Sequence, residues 1–527
     1  MPQPPEGPDE PAAERIPLAA RDCGDGSDVV RLEGVAQPQD EAEAHVGDRG
    51  GNHAAKDTTP ARAWPASEIS DSRTPGRSLY WPTVTAPETS SSIAARPNGP
   101  LSGESAILPG LTPWDCLEAG AAPGHPAFLW EAPGGEALAG IGAVFRLEAS
   151  GPGRFADLKP RLARLLARAE HHGPEPSGFP GAIAIGGFAF AEQGARRGWP
   201  GYPDASFYVP SRIFWQSPGG ATIETRWSSS EEERGRALAE AGSGIGDAAV
   251  DSGREPESGD AWDRAAWLDR VRLTLDRIRD GSFSKAVLAR SVRIRLDRSA
   301  DAIAILASLR AAYPTCYRFL IADGRGNAFL GASPERLVRF AGGEVLTEAV
   351  AGTQRCEPGD DGSKFARALV ESEKDRSEHG VVLRHLLETL TPLCESIAPK
   401  APEVMRLPHL LHLRTPVRGL ARAGAHVLDL VSRLHPTPAV GGWPRKEALA
   451  WIRGVEGACR GWYAGPVGWV NAAGEGDFAV GIRAIAIRER SALLFAGAGI
   501  VEGSDPDLEW NETELKMKGI LDAVARD

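Results

Sequence analysis

The chain has 527 residues, a net charge of −12 and 42% hydrophobic residues. This length allows a large core, and the acidic balance argues against nucleic acid or an anionic membrane as the main partner. The six cysteines include no CxxC pair and lack zinc-ligand spacing with histidine, which argues against a disulfide framework or a zinc site. Neither a signal sequence nor a run of 18 apolar residues is found, so we expect a cytoplasmic protein.

Two stretches of the chain have a composition that disfavours folding. Residues 1–105 are rich in Pro, Gly, Ser, Asp, Glu and Ala, and their apolar residues show no lasting period. Such a segment cannot bury enough surface to offset the entropy of ordering, so we predict a disordered tail. Patterned sequence begins near Leu108. We interpret residues 228–259 as an exposed linker or insertion, in which 231–241 could form a helix.

The remaining sequence alternates between strand and helix patterns. Trp267, Val271, Leu275 and Ile278 form an apolar stripe, which predicts a helix that ends near Gly281. Further predicted helices are 158–169, 301–312, 363–397, 426–433, 445–458 and 507–525. Predicted strands are 127–130, 141–147, 182–190, 284–294, 317–322, 327–332, 336–340, 467–471, 477–488 and 492–498. Antiparallel strand pairs with long interspersed helices favour a large α+β sandwich.

Two ionisable residues interrupt apolar strand patterns, and each has a structural and a chemical interpretation. Lys285 lies near the start of the predicted strand 284–294, where alternation also permits an outward-facing side chain. A buried lysine can act as a general base, because desolvation disfavours its charged form. Glu335 ends the segment Ala332-Ser-Pro-Glu335, and is either a turn residue or a buried acid that stays protonated near neutral pH.

Two glutamates on separate predicted helices, Glu378 and Glu512, are candidate ligands for a divalent ion. Glu512 shares one helix face with Lys516, four residues later. Mg²⁺ prefers oxygen ligands and is often held by one or two carboxylates together with substrate oxygens. Surface glutamates would give the same pattern, and the competitors for the role are Glu371, Glu373, Asp375 and Glu509.

Small-residue segments and one arginine are candidate contacts for an anionic ligand. Gly352-Thr353 and Ala496–Ile500 are predicted as turns whose N–H groups could approach an anion, although packing alone can also require small residues. Arg483 interrupts an apolar strand, which either bidentate carboxylate binding or an outward-facing position would explain. His435 precedes Pro-Thr-Pro and is interpreted as a structural histidine.

The order of these segments resembles the chorismate-utilising enzymes, and within them the isochorismate synthases. The similarity is strong over roughly residues 265–522. It is weaker around Gly187–Phe190 and Trp199-Pro-Gly-Tyr-Pro203, which resemble the N-terminal half of the menaquinone-pathway members. The segments that carry the strong resemblance are Ser333-Pro-Glu335, Ala349-Val-Ala-Gly-Thr353, Glu371–His379, His435-Pro-Thr-Pro-Ala-Val-Gly-Gly442 and Gly503–Lys516.

The resemblance also implies a fold and a domain organisation. The family's fold is a large two-lobed sandwich of antiparallel-rich β-sheets flanked by helices. A tail of residues 1–105 would then precede an N-terminal part of the synthase fold, residues 106–260, which ends in the linker. Residues 261–525 would form the chorismate-binding catalytic domain.

The resemblance assigns a role to each candidate residue. Lys285 matches the family's water-activating base, and Glu335 matches its general acid. Glu378 and Glu512 match two Mg²⁺ ligands, and Ala439 matches a pocket position that differs between subfamilies. The positions that match contacts to the substrate's carboxylates are Gly352, Thr353, Arg483, Gly497 and Lys516.

The implied reaction is the Mg²⁺-dependent isomerisation of chorismate to isochorismate. In it, Lys285 accepts a proton from the water that attacks C2, and Glu335 protonates the departing C4 hydroxyl. The ring double bonds shift between the two events. No redox cofactor and no obligatory protein partner are expected, and a menaquinone or a siderophore pathway would be equally compatible.

Three alternatives stay open. A salicylate synthase would go on to eliminate pyruvate, and the chorismate-binding subunit of an anthranilate or aminodeoxychorismate synthase would need ammonia or a glutaminase partner. A catalytically silent binding homologue is the third, against which the joint presence of the four base, acid and metal-site residues argues. Thr437-Pro-Ala-Val-Gly-Gly442 favours isochorismate synthase, because the aminating relatives carry a Gly-rich version that ends in Gly-Ala-Pro-Lys.

Overall fold

The computed structural model describes residues 101–192, 199, 201–229, 263–356, 363–457 and 459–526. The described residues all belong to one compact unit. The predicted tail lies outside the described residues up to position 100, and so does the predicted linker beyond residue 229, with its possible helix 231–241. Within the described part, no helix is long and apolar enough to cross a membrane.

Helices and strands follow one another along the whole described part of the chain. The helices are α1 (Pro113–Gly120), α2 (Arg154–Leu166), α3 (Arg264–Arg279), α4 (Ala302–Ala312), α5 (Ser363–Glu371), α6 (Glu373–Leu390), α7 (Val427–Leu434), α8 (Arg445–Glu456) and α9 (Pro506–Val524), with a 3-10 turn at Thr391–Leu393. The strands are β1 (Leu101–Leu108), β2 (Ala127–Glu131), β3 (Ala137–Ile141), β4 (Phe145–Ala149), β5 (Ala169–His172), β6 (Ile183–Phe188), β7 (Ala205–Val209), β8 (Arg212–Gln216), β9 (Thr222–Ser228), β10 (Lys285–Arg295), β11 (Tyr317–Ala322), β12 (Asn327–Ser333), β13 (Arg336–Ala341), β14 (Glu344–Arg355), β15 (Cys394–Pro399), β16 (Glu403–Arg406), β17 (Leu410–Ala421), β18 (Gly442–Trp443), β19 (Pro466–Asn471), β20 (Gly476–Val480), β21 (Ala484–Arg488) and β22 (Ser491–Val501).

These strands form two large sheets. Among the described residues, the first sheet has twelve strands in the order β18-β10-β22-β21-β12-β11-β2-β3-β8-β9-β1-β5. The second has ten strands, in the order β15-β17-β14-β13-β20-β19-β6-β7-β4, with β16 paired to β17. Most pairs are antiparallel, and β1 with β5 is a parallel one. The segments on either side of residue 260 contribute strands to both sheets.

Side chains from the two sheets meet in one core. The largest apolar cluster combines Phe329 and Trp130 of the first sheet with Phe207 and Phe478 of the second. Alternate residues point to opposite faces of a strand, so Leu330 belongs to another cluster, where α1, α4 and α9 cover the first sheet. The predicted fold, a sandwich of antiparallel-rich sheets flanked by helices, is confirmed.

The helix predicted from the apolar stripe is confirmed as α3. Asp263 caps it by accepting a hydrogen bond from the backbone N–H of Ala266, and Trp267, Val271 and Leu275 are buried. The folded part begins earlier than predicted, since Leu101–Leu108 form β1 between β5 and β9. The prediction that residues 101–105 belong to a disordered tail is therefore wrong.

The helix predicted over 363–397 is wrong in its continuity. Ser372 interrupts it, because its hydroxyl accepts a hydrogen bond from the N–H of Asp375 at 3.2 Å and caps a new helix, α6. That helix ends at Leu390, and the chain continues as the 3-10 turn and strand β15. Glu371 and Glu378 therefore lie on different helices.

Three backbone predictions near the candidate site are also corrected. Residues 477–488 are not one strand, because β20 belongs to the second sheet and β21 to the first. Arg483 lies in the link between them, with φ of +51°. The predicted turns at Gly352-Thr353 and Ala496–Ile500 lie within strands β14 and β22, which pair with β17 and β10.

Candidate active site

Glu335 and Arg483 lie where the chain crosses between the two sheets. Glu335 connects β12 to β13, and Arg483 lies between β20 and β21. Because β12 pairs with β21 and β13 with β20, the two crossings are adjacent. The N–H of Val480 donates to the carbonyl of Glu335, and the N–H of Ala332 donates to that of Arg483, both at 3.1 Å. This frame fixes the position of both side chains.

One cavity collects most of the predicted site residues. It is lined by Glu335, Gly352, Thr353, Glu378, Ala439, Arg483, Gly497, Glu512 and Lys516. Lys285 adjoins it through its contact with Glu378. The free volume is about 80 Å³, less than the roughly 300–1,000 Å³ of typical ligand pockets. Lining side chains must therefore move to admit a ligand of ordinary size.

Lys285 is buried in the first sheet, between β18 and β22. Its side chain is 1% exposed, which excludes an outward-facing lysine, and Nζ lies 2.8 Å from Oε1 of Glu378. The contact is an ion pair that lacks hydrogen-bond geometry. A Cβ at Gly499 would lie 2.5 Å from the same Oε1 and 3.1 Å from Cε of Lys285. Gly499, which the sequence marked only as part of the small-residue segment Ala496–Ile500, therefore makes room for this pair.

Glu335 is a buried carboxyl whose pKa lies above the usual value for glutamate. Burial, and then the charge of Glu348, raise its pKa to about 8. Glu348 is itself buried and accepts a hydrogen bond from Nε of Arg414 at 2.7 Å. The hydroxyl of Thr437 donates to Oε1 of Glu335 at 3.5 Å. Glu335 therefore stays mainly protonated at neutral pH, as a proton donor must.

The sequence interpretation missed Glu348 as a partner of Glu335, and treated Thr437 only as part of a motif. Glu348 directly precedes the segment Ala349-Val-Ala-Gly-Thr353, and Thr437 belongs to His435-Pro-Thr-Pro. Glu348 and Thr437 lie 13 and 102 positions after Glu335, and the folded chain brings them near it, so no local pattern marks them.

Glu378 and Glu512 reach the cavity from α6 and α9. Oε1 of Glu512 lies 2.5 Å from Nζ of Lys516, which also donates to the carbonyl of Gly497 at 2.8 Å. The competing acidic residues do not line the cavity. Glu371 and Glu373 are exposed, Asp375 accepts a hydrogen bond from the N–H of Thr353, and Glu509 pairs with Lys374 at 3.0 Å.

The donor set of the cavity fits a magnesium ion better than a structural metal. No cluster of three or more His, Cys, Asp or Glu side chains suited to a metal occurs in the part of the chain that is described. Two carboxylates remain, Glu378 and Glu512, each now paired with a lysine. Mg²⁺ commonly takes one or two carboxylates and completes its shell with water and substrate oxygens. These two residues could hold it.

Arg483 brings a buried guanidinium to the cavity. Its side chain is buried, and its guanidinium makes neither a hydrogen bond nor an ion pair with any described residue. Burial lowers its pKa from the usual value, which is the expected cost of an unpaired buried cation. A carboxylate ligand would supply the missing partner through bidentate hydrogen bonds.

Gly352 and Thr353 line the cavity from a bulge in β14. Gly352 has φ of +76°, and a Cβ there would lie 3.0 Å from Cβ of Asp375. The N–H of Thr353 donates to Oδ1 of Asp375 at 3.1 Å, so this donor already has an acceptor. The Thr353 hydroxyl lies 3.2 Å from Nδ1 of His412. In this geometry the segment offers a hydroxyl to a ligand more readily than a backbone donor.

His435 has the structural surroundings expected from the sequence. It is buried, and its Nε2 donates to the carbonyl of Phe190 at 2.9 Å. Burial lowers its pKa to about 3, so the ring is neutral at physiological pH. It fixes the loop that carries Thr437 toward Glu335.

Comparison with known proteins agrees with this geometry. The family model described as chorismate binding enzyme matches residues 93–525. The chain therefore belongs to the chorismate-binding enzyme family. The isochorismate synthase MenF of Bacillus subtilis is 31% identical over 414 residues, which cover 75% of this chain and 87% of that protein.

Two further comparisons cover a similar share of this chain. The salicylate biosynthesis isochorismate synthase of Pseudomonas aeruginosa is 36% identical over 428 residues, covering 76% of this chain and 85% of that protein. The structure of the menaquinone-specific isochorismate synthase MenF from Escherichia coli is similar with a TM-score of 0.65 and 26% identity. The match covers 81% of this chain and 95% of that one.

Proposed function

We propose that this protein converts chorismate to isochorismate. One observation carries the proposal. A single cavity is lined by Glu335, a carboxyl whose pKa is raised to about 8, and by Arg483, a buried guanidinium without a carboxylate partner in the described chain. A proton donor and an anion site thus face one space, beside the buried amine of Lys285. The relatives named as isochorismate synthases support the same activity.

Substrate binding would use the cationic side of the cavity. Arg483 is assigned to one carboxylate of chorismate, and Lys516 with the Thr353 hydroxyl and the Gly497 backbone to the other. Lys516 now pairs with Glu512, so it must exchange that partner for the substrate. The small free volume supports such a rearrangement, because the cavity cannot hold the ligand while the lining side chains keep their present positions.

Glu378 and Glu512 would hold Mg²⁺ in the loaded enzyme. The ion would neutralise a carboxylate of the substrate and draw electron density from its conjugated ring. Oε1 of Glu378 cannot coordinate the ion and keep its full ion pair with Lys285 at the same time. Binding of the ion by Glu378 would therefore separate this carboxylate from Lys285 and leave the amine free to contact water.

The reaction then needs two proton transfers. Uncharged Lys285 accepts a proton from water, whose oxygen forms the new bond to C2. Protonated Glu335 gives its proton to the C4 hydroxyl, which leaves as water while the double bonds shift. One water enters and one leaves, so the product is an isomer. Return of the proton from Lys285 to Glu335, through solvent or water, resets the site.

Product identification tests this proposal against its alternatives. The protein would be incubated with chorismate and Mg²⁺, with and without ammonium, and the products separated by chromatography. We expect isochorismate alone under both conditions. Salicylate with an equivalent of pyruvate would indicate a salicylate synthase, and an aminated product a subunit of an aminating enzyme. No turnover would favour a silent binding protein.

A further inference from the structure

A second and larger cavity shares a loop with the candidate active site. Its free volume is about 410 Å³, within the range of small-molecule pockets. His435 and Pro436 line this second cavity, Thr437 donates to Glu335, and Ala439 lines the active-site cavity. Nothing in the proposed reaction uses this second space.

Positive charge prevails in the second cavity. Arg154, Arg445 and Arg453 line it, against the carboxylates Glu192 and Asp429. The charge of Asp429 is balanced, since its Oδ2 lies 2.6 Å from Nζ of Lys159. Glu192 approaches Arg154 only to 3.8 Å. Two arginines therefore remain in excess over the carboxylates that could neutralise them within the cavity.

The two inner arginines have hydrogen-bonding capacity to spare. Arg154 is 5% exposed and donates to the carbonyls of Gly151 and Ala189 at 3.3 Å each, while its Nε is buried without a partner. Arg445 donates to the carbonyls of Arg433 and His435. Burial and the like charge of Arg154 lower the pKa of Arg445. An anion between the two guanidinium groups would relieve the repulsion between them.

Most of the remaining lining is apolar, and part of it is aromatic. Phe155 stacks on Phe188 with ring centroids 4.1 Å apart, and the guanidinium of Arg154 lies 4.8 Å from the Phe155 ring. Phe190, Leu428 and Leu449 complete this side. Such a lining suits a planar apolar ring, which can pack against the aromatic and aliphatic side chains while its charged group meets the arginines.

We propose that this cavity is a second ligand site, which binds a small aromatic carboxylate between Arg154, Arg445 and Arg453 on one side and Phe155 and Phe190 on the other. The site is distinct from the chorismate cavity, although one loop contributes to both: His435 and Pro436 line the second cavity, and Ala439 and Val440 line the active-site cavity. Its ligand would touch His435 and Pro436, and its binding does not depend on the proposed reaction.

The test uses 4-fluorobenzoate as the probe and the full-length protein. Binding would be titrated by ¹⁹F NMR, with 4-fluorobenzamide as the neutral analogue and inorganic phosphate as the ringless anion. We expect saturable binding of 4-fluorobenzoate and at least about tenfold weaker binding of the other two. The amide lacks the negative charge that the arginines recognise, and phosphate lacks the aromatic ring.

Variants locate the site. Arg453 is exposed, so Arg453→Glu should fold, and it should weaken 4-fluorobenzoate binding at least about tenfold. Lys446→Glu makes the same charge change at an exposed position of α8 that does not line the cavity, and should bind normally. Arg483→Gln, in the active-site cavity, should also bind normally. The proposal is overturned by an absence of saturable binding, by equal effects of Arg453→Glu and Lys446→Glu, by loss in Arg483→Gln alone, or by equal binding of the neutral analogue or of phosphate.

Discussion

Glu348 and Glu335 are two buried carboxyls placed so that the charge of the first raises the pKa of the second. Only burial has a larger effect on Glu335, and the two together bring its pKa to about 8. Arg414 and the N–H of Arg336 hold Glu348 in place at 2.7 and 3.0 Å. Glu348 thus acts on the proposed acid without lining the cavity.

We predict that kcat/KM for chorismate falls on the alkaline side, through a pKa near 8 in the free enzyme. Glu335 can donate a proton only in its protonated form, which is lost as the pH rises through about 8. Glu348→Gln removes the raising charge, so the alkaline limb should move to lower pH. The pH dependence of kcat/KM for the two proteins measures this shift.

Glu344→Gln is the matched control for that experiment. Glu344 lies on the same strand, β14, but forms a largely exposed ion pair with Arg418. Its pH profile should coincide with that of the unmodified protein. An alkaline limb that stays in place in Glu348→Gln, or moves to higher pH, would contradict the assigned relationship.

Activity should require Mg²⁺ through Glu378 and Glu512. Glu378→Gln and Glu512→Gln are nearly isosteric, but each amide removes a charged ligand, so the Mg²⁺ concentration for half-maximal rate should rise at least about tenfold. Glu373→Gln, on the same helix as Glu378 but exposed, should behave like the unmodified protein. Full turnover after exhaustive treatment with EDTA would contradict the requirement for Mg²⁺.

Arg483 should contribute mainly to substrate binding. Arg483→Gln loses a charge-assisted contact to a carboxylate, so KM for chorismate should rise about 10- to 100-fold, with a smaller change in kcat. Arg483→Lys should recover only part of the loss, because an ammonium cannot bind bidentately. Steady-state kinetics separates the two parameters. An unchanged KM in both variants would show that Arg483 has another role.

The sequence singled out individual residues of the candidate site, but it did not reveal their surroundings, and the roles of these residues stay predictions. Lys285 could be singled out because it lies within an apolar strand pattern, and Glu335 because it follows Ser-Pro at a strand end; both side chains are buried. The position of Arg483 was predicted wrongly, because the apolar segment from Val480 to Ile487 is typical of one continuous strand. The structure instead crosses between sheets there, and only pairing with distant strands reveals that crossing. The need for glycine at position 499 likewise depends on the fold, because β22 places this residue beside Glu378.

The first ninety residues should be dispensable, but β1 should not. A protein that begins at residue 91 is predicted to keep its melting temperature and rate, since the preceding sequence lacks a core-forming pattern. One that begins at residue 109 loses β1, whose Leu101 is fully buried and is worth about 2 kcal/mol, together with its pairing to β9. Calorimetry should show a Tm several degrees lower. Equal Tm values for the two truncations would contradict the structural role of β1.

The rate of isochorismate formation by Lys285→Ala tests the central claim most directly. A general base supplies at least about 100-fold, so the variant should lose that much turnover while it still binds chorismate and Mg²⁺. Lys446→Ala, at an exposed position, serves as the control and should keep the full rate. We predict a folded, substrate-binding Lys285→Ala protein with turnover below about a hundredth of the unmodified rate. Retention of more than about a tenth of that rate would contradict the assignment of Lys285 as the base.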